Sequence, residues 1–469
     1  MAPSILWFRR DLRLSDHPAL HEAVRLGGAD GVVPLFVLDE TFLAPAGPTR
    51  ASFLRSSLEA LEASMGSPLC VLAGDPVTAV TELAEGLGVA HVVVSGDFGP
   101  SGSARDDAVA EALGHHGIAL HRVSSPYCVD PGTVRGASGG PVKVFTAFRR
   151  RWEVIGPHVV LPVPDVSWVN VPSLAALDEI PQRAGTRRPA LFADLPDAPP
   201  TVLPPAGESE AMSLLERFCE GPIDRYDHDR NVFATPGTSH LSPHLRFGSL
   251  HPRTALAAAA GADQGATTFR SEIAWREFYA DVLHHHPDSV SEPLQPKMAR
   301  LRVDAGPAAE ECFRRWARGE TGIPLVDASM RQLLAEGWMH NRGRMLTASF
   351  LVKHLHLDWR WGARWFMWRL IDGDLASNTH GWQWTAGTGT DASPFYRIFS
   401  PLAQAERFDP DAQFVHAQIP ELSEIPAPRV LQPGGGVDLL SSADYPAAMI
   451  DLGAERIEAL RRLDETKAE

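Results

Sequence analysis

The 469-residue chain has only four cysteines, at positions 70, 128, 219 and 312. They are too few and too scattered for a disulfide framework or a zinc knuckle. No apolar run approaches the ~18–20 residues needed to span a bilayer. The opening residues MAPSILWFRRDLRL lack the basic, apolar and small-residue succession of a secretory signal. These absences predict a cytoplasmic protein with no membrane association; a monomer is expected. The chain also lacks a G-x-G-x-x-G after its first hydrophobic run and a G-x-x-x-x-G-K-[ST] anywhere, which excludes a dinucleotide fingerprint and a P-loop. Lysine is scarce: four lysines stand among 43 basic residues, leaving 39 arginines, a bias expected of a GC-rich genome. Positive charge is in deficit overall, with a net charge of −15, which at face value argues against a nucleic-acid partner.

The distribution of charge matters more than its sum. From Trp338 to Leu370 six cations (Arg342, Arg344, Lys353, Arg360, Arg364, Arg369) face one acid, Asp358. From Ser400 to Glu469 thirteen acids face six bases, so much of the acidic surplus lies elsewhere. A solvated helical face is the plain alternative for the basic segment.

Over the first 125 residues, β-type runs (Ile5–Phe8, Val32–Leu38, Leu69–Ala73, His91–Ser95, Ile118–Val123) alternate with amphipathic stretches such as Arg50–Met65, Pro76–Gly86 and Ser103–Gly114. That alternation predicts a parallel sheet covered by helices on both faces. Gly136-Ala137-Ser138-Gly139-Gly140 matches the G-x-S-x-G pattern of a hydrolase nucleophile. Pro141 follows at once, where a nucleophile elbow needs a helix, so a flexible loop is expected. From Pro157 to Glu208 eleven of 52 residues are proline, which rules out regular helix or central strand and predicts a surface linker. Beyond Ala211 the pattern is helical. The expected organisation is an α/β domain at 1–150, a linker at 151–208 and an all-α domain at 209–469.

Nine of the twelve tryptophans lie between Trp275 and Trp384. A packed helical core would account for them, yet several sit among arginines and polar loops. Aromatic faces beside cations suit base stacking, or a path for electron hopping.

Trp7–Leu20 (WFRRDLRLSDHPAL), Gly237–Leu250 (GTSHLSPHLRFGSL), Glu272–Tyr279 (EIAWREFY), Gly337–Lys353 (GWMHNRGRMLTASFLVK) and Ile371–Pro401 (IDGDLASNTHGWQWTAGTGTDASPFYRIFSP) together resemble the photolyase/cryptochrome family, in the right order and over essentially the whole chain. The resemblance implies an N-terminal antenna-binding domain, a helical domain that binds FAD, active as FADH⁻, and damaged DNA as partner. The implied activity is light-driven splitting of cyclobutane pyrimidine dimers, with one electron passing from the excited flavin to the dimer and returning. Base flippers of this kind extrude the damaged nucleotide into a pocket.

In Thr238-Ser239-His240-Leu241-Ser242, hydroxyls and backbone amides can cradle a diphosphate without a glycine-rich loop. The resemblance places the FAD pyrophosphate there, with Tyr226 and Phe269 nearby; a hydroxyl turn or helix cap is the alternative. Asp372-Gly373-Asp374 could pair two carboxylates on a metal, but no third ligand sits at useful spacing, and no metal is expected. By resemblance this segment faces the flavin ring and ribose, with Arg344 as partner of Asp372. Asn378 is implied opposite the flavin N5, where a neutral amide offers a donor or an acceptor; plant-type cryptochromes carry Asp there, and an ordinary turn Asn is the alternative. Asn341, Arg344 and Met345 share one helical face, and Met345 suits contact with stacked pyrimidines. The segment NRGRML offers no His of the kind (6-4) photolyases use, which favours the cyclobutane dimer. Glu272 is implied at the dimer's imide edge, and Trp275 and Trp384 as pocket walls. Arg230, Arg276, Arg342 and Gln404 match positions that contact DNA; for each a surface or core role is the alternative.

Two other functions bear comparison. A cryptochrome-like photoreceptor would keep FAD and the tryptophans; Asn378, Met345, Glu272 and the short C-terminal tail speak against it. A flavin oxidoreductase would need a nicotinamide site, and no fingerprint for one is visible. For the antenna, Leu35–Asp39 with Arg50 and Arg55 resembles the binders of 8-hydroxydeazaflavin more than those of folate, although Gly99 and Ser101 replace the family's acidic and aromatic residues near Asp97. Family members reduce the flavin through three tryptophans. Trp382 and Trp359 match the proximal and middle ones, but an ungapped match puts Gly306 at the distal position. Either photoreduction is poor, or Trp361, Trp365 or Trp368, which share a face at i, i+4 and i+7, provides the outlet.

Overall fold

The computed structural model describes residues 2–156, 159–200, 202–390, 396–437 and 444–467. Its chain divides into two compact units that are interleaved in sequence: residues 1–188, 204–226 and 239–287 form the first, and 189–203, 227–238 and 288–469 the second. The helical segment 239–287 packs with the sheet-bearing unit, and the proline-rich segment is shared between both.

The first unit is built on a parallel sheet of β1 (Ser4–Trp7), β2 (Val32–Leu38), β3 (Cys70–Ala73), β4 (His91–Val94) and β5 (Ala119–Arg122), in the order β3-β2-β1-β4-β5. The crossovers are α1 (Pro18–Gly27), α2 (Pro48–Met65), α3 (Pro76–Leu87) and α4 (Pro100–His115). Because right-handed crossovers are nearly obligatory and the strand order reverses at β1, α1 and α2 cover one face while α3 and α4 cover the other. Alternation bears this out: Ile5, Trp7, Val33, Leu35 and Val37 cluster with Val80 and Ala84 of α3 and Val109 and Leu113 of α4. Local chemistry sets the helix ends. Asp75 caps α3 by accepting from the Thr78 amide, Pro76 stands in its first turn, and Gly88 closes it in the left-handed region. Among the longer helices of this unit are also α5 (Phe145–Ile155), α6 (Glu208–Cys219), α7 (Pro252–Ala258) and α8 (Gln264–His285).

The second unit carries α9 (Pro307–Arg318), α10 (Pro324–Glu336), α11 (Asn341–Lys353), α12 (Trp359–Arg369), α13 (Leu375–Ala386), α14 (Pro401–Phe408) and α15 (Leu452–Glu465). Its core joins Phe313 and Trp316 of α9, Met330 and Leu333 of α10, Phe350 and Leu351 of α11, Trp365, Phe366 and Trp368 of α12, and Trp382 of α13. Among the described residues no helix is long and apolar enough to cross a membrane.

The proline-rich segment departs from a plain surface linker. Ser167 and Val169 exchange backbone bonds with Val32, at 2.9 and 2.8 Å. That approach requires Gly31, whose φ is 84° and whose added Cβ would lie 2.4 Å from the Ser167 carbonyl oxygen. Ile180 is buried in the first unit, while Phe192 and Leu195 join the core of the second. Apolar side chains spaced between the prolines hold the segment down, although its backbone makes only short helical turns. The G-x-S-x-G segment forms a tight exposed turn, with Arg135 bridged to Pro141 and the Gly136 amide donating to the Gly140 carbonyl at 2.7 Å. No helix begins directly after Ser138, as a nucleophile elbow requires.

Candidate flavin and DNA site

In the first unit, Tyr226 and Phe269 come together as expected. Their rings meet edge to face at 5.7 Å, and Phe218 completes the group at 5.4 Å from Tyr226 and 4.9 Å from Phe269. Phe218 sits on α6, where a helical stripe gave no sign of it. The segment 238–242 runs into a short helix beginning at Ser242. The Ser239 hydroxyl accepts from the Leu241 amide at 3.4 Å, and His240 holds a left-handed φ of 51°. A non-glycine residue in that region stores strain of roughly 1–3 kcal/mol, a feature that clusters at ligand sites.

Glu272, Trp275 and Arg276 lie one turn apart on α8 and are partly exposed. Trp275 is covered on one side by Phe145 of α5, stacked at 3.6 Å and 8°. Arg276 donates to the carbonyls of Pro126 and Leu245 at 3.0 and 3.1 Å and lies over the Tyr127 ring. The geometry therefore has Arg276 tie the loop at Pro126 and the short helix Ser242–Phe247 to α8, which its sequence position did not suggest. Behind this face Glu277, fully buried, accepts from the Cys128 and Val129 amides and from the Trp152 indole. Burial raises its pKa although these donors pull it down.

In the second unit, Arg344 and Asp372 form a bidentate pair, with nitrogen–oxygen distances of 3.1 and 2.8 Å, and the Arg344 Nε donates to the Met339 carbonyl. Asp374 instead caps α13, accepting from the Ser377 amide at 3.0 Å. The two carboxylates flanking Gly373 thus serve separate partners. One turn into α13, the Asn378 side-chain amide donates to the Ala363 carbonyl at 3.0 Å. A carbonyl partner can only accept, so this bond fixes which end of the side chain is nitrogen and leaves the Asn378 Oδ1 as the acceptor.

Asn341 begins α11 and its amide reaches the Met345 sulfur at 3.9 Å. Arg342, Gln404 and Arg230 are brought together. Arg342 donates to the Gln404 Oε1 at 3.1 Å and to the Asn231 Oδ1, and lies over the Phe408 ring at 3.6 Å. Burial, reinforced by the neighbouring Arg407 and Arg230, pushes its pKa down to about 10. Asn231, Arg407 and Phe408 were not legible as members of this cluster; the spacing of 342 from 231 and 408 carries no periodic signal. Trp384 is half-buried under Arg397, whose guanidinium lies 5.1 Å from its ring centre.

Trp382 is buried and its indole nitrogen has no hydrogen-bond partner. It meets Phe366 at 5.0 Å and Trp316 at 6.2 Å, both edge to face. Gly362 is what admits the indole: a Cβ there would stand 2.0 Å from the Trp382 Cη2. Trp359 starts α12 and is buried, and Gly306 caps α9 from just before its first residue, with φ 88°. The expected shared face of Trp361, Trp365 and Trp368 divides. Trp365 and Trp368 are buried around Phe192, with the Trp368 indole donating to Asp197 at 2.7 Å. Trp361 remains partly exposed and packs on Phe313 at 5.8 Å.

The family model for DNA photolyase matches residues 4–165, and that for the FAD binding domain of DNA photolyase matches residues 269–465. The chain belongs to the DNA photolyase family. It is 38% identical to the deoxyribodipyrimidine photo-lyase of Halobacterium salinarum, over 90% of each chain. It is 37% identical to that of Streptomyces griseus, over 99% of this chain and 100% of the other. A class III photolyase of Agrobacterium tumefaciens shares the fold with a TM-score of 0.87 and 35% identity, over 100% of this chain and 98% of that one. Within a photolyase, the residues just described are the natural candidates for holding FAD and meeting damaged DNA. In the second unit, the acceptor left on Asn378 and the doubly bonded Arg344–Asp372 pair suit a polar, hydrogen-bonding ring; in the first, the strained His240 segment suits an anionic group.

Proposed function

We propose that this protein is a deoxyribodipyrimidine photo-lyase, which uses light to split cyclobutane pyrimidine dimers in DNA into monomeric pyrimidines. The observation that carries the reading is the pair of fixed polar groups in the second unit, a bidentate Arg344–Asp372 ion pair and an Asn378 amide pinned so that its oxygen is left to accept. FAD held by these residues in its reduced form would supply light-driven one-electron chemistry. The chain's own work is to hold and orient. Thr238, Ser239 and the backbone through Ser242 receive the diphosphate, with Tyr226 and Phe269 beside them. Arg344, Asp372 and Asn378 receive the ring. Glu272 accepts from the imide edge of a pyrimidine, and Trp275, Trp384 and Met345 offer apolar faces. Asn341 positions Met345. Arg230, Arg342 and Gln404 form the phosphate-facing group. A packed, water-poor environment preserves the electron for the dimer.

For the antenna we propose 8-hydroxydeazaflavin rather than folate, on the strength of Leu35–Asp39, Arg50 and Arg55. The outer face of Trp7 is occupied by Arg9 and Arg105, whose guanidinium carbons lie 4.9 and 5.2 Å from its ring centre, so a chromophore there would have to displace them. The protein is proposed to act as a cytoplasmic monomer. Purified protein should carry non-covalent FAD in near-equal amount and, once reduced, restore thymine dimers in the light and not in the dark. Protein that folds yet takes up no flavin on reconstitution, or that restores only (6-4) products, would overturn the proposal.

A further inference from the structure

Lys353 is a charged side chain where a plain core would take an apolar one: it ends α11 and is only 2% exposed. Burying an ammonium is costly, and a methionine of similar length would fill the space without that cost. What the charge does there is hold a short length of backbone. Its Nζ donates to the Arg397 carbonyl and lies 4.1 Å from the centre of the Tyr396 ring. One turn earlier on the same face of α11, the Ser349 hydroxyl accepts from the Phe399 amide at 3.3 Å. The segment 396–400 is thereby tied to α11 at two points, and it converges on one neighbour. The Arg397 guanidinium lies 5.1 Å from the Trp384 ring centre, and the Phe399 ring lies at 6.4 Å. Tyr396 meets the end of the helix that carries Trp384. Gly387 caps α13 with a φ of 80°, its amide donates to the Trp384 carbonyl at 3.2 Å, and a Cβ there would stand 3.0 Å from the Tyr396 ring. The Arg397 side chain is exposed, so its place over the indole depends on how firmly its backbone is held.

We infer that Lys353 is a positioning residue for lesion recognition: it anchors the segment 396–400 so that Arg397 and Phe399 hold the Trp384 indole in one orientation. The inference rests on the proposed function, in which Trp384 is a wall of the lesion pocket. An indole receives a flat partner only through its face. A ring free to turn about its own bonds loses that freedom when the partner arrives, and fixing it beforehand removes the loss from binding. An apolar side chain at position 353 would offer the Arg397 carbonyl no donor and would release the segment at its main tie.

The test is a double-mutant cycle in the FAD-loaded protein, with Lys353→Met, Trp384→Ala and the two combined. Affinities for a duplex containing one thymine dimer and for the same duplex undamaged are measured by fluorescence anisotropy, and their ratio gives the preference for the lesion. Residues that act through one another are not additive. Lys353→Met should therefore lower the preference by on the order of tenfold where Trp384 is present and by less than about twofold where it is absent. Affinity for the undamaged duplex and flavin absorbance should stay unchanged. A second readout is the Trp384 fluorescence, isolated as the difference between proteins with Trp and with Phe at this position. Acrylamide should quench it more strongly in Lys353→Met than in wild type. Equal loss of preference with and without Trp384, or unchanged quenching, would overturn the inference. Should Lys353→Met lose its flavin, Ser349→Ala, which removes the acceptor of the Phe399 amide, decides by the same cycle. A wild-type protein with no preference for dimer-containing DNA would remove the functional proposal, and this inference with it.

Discussion

At the residue scale, the choice of Asn at position 378 has a consequence that can be measured. Its amide is the donor to the Ala363 carbonyl, a residue on α12. Asn378→Asp would place two acceptors face to face and leave the carbonyl without its donor. The cost of an unsatisfied partly buried acceptor is about 1–3 kcal/mol, to be seen as a lowered melting temperature of the variant. A protonated Asp can donate in place of the amide. The deficit relative to wild type is therefore expected to shrink as pH falls toward the carboxyl range, and a deficit that grows would contradict the assignment. The same residue shows how far sequence reasoning reaches. That Asn378 belongs at the site was legible from its surrounding motif. Which of its two polar ends is free was not, because that depends on a carbonyl fifteen residues away in a neighbouring helix.

At the scale of elements, the strands were legible almost to the residue, because short β-branched runs between helix caps have little alternative. Val32–Leu38 begins and ends where expected, and the others differ by one residue at an end or at both. The helices of the second unit were legible only as a helical pattern beyond Ala211, without all of their individual bounds. The proline-rich segment was not, because its anchors are isolated side chains such as Ile180 and Phe192 whose burial has no periodic signature. The aromatic route belongs to this scale too. With Gly306 at the expected distal position, Trp382 contacts Trp316, Trp316 contacts Phe313 at 5.6 Å, and Phe313 contacts the partly exposed Trp361. Burial excludes Trp365 and Trp368 as outlets to solvent. If this aromatic column serves photoreduction, Phe at Trp382 should abolish light-driven flavin reduction. Phe at Trp316 or at Trp361 should shorten the charge-separated state, and Phe at Trp365 should leave it unchanged. No change in either the Trp316 or the Trp361 variant, read by flash photolysis, would eliminate the route and leave the simpler outcome of poor photoreduction.

At the scale of the whole molecule, buried histidines govern the response to acid. His244 in the first unit and His354 in the second are almost fully buried. Burial lowers the pKa of each to about 4, and for His354 the neighbouring His356 and Lys353 add to the effect. An unfolded histidine titrates near 6.5. A depressed folded-state pKa means that the unfolded chain binds the proton first as pH falls. The stabilisation is complete above about 6.5 and is lost progressively down to about 4. Between about pH 7.5 and 5.5 each histidine should remove about 1.4 kcal/mol of stability. Glu277, Asp281 and Asp327 act in the opposite sense. Burial raises their pKa values, so the folded state takes up those protons first and gains stability as pH falls through the raised values. That gain is lost again as pH rises. Urea unfolding should therefore show declining stability from about pH 7.5 to 5.5, with the decline smaller by about 1.4 kcal/mol in His354→Gln than in wild type. An identical decline in the two proteins would show that His354 is protonated in the folded state and that its burial does not govern its charge.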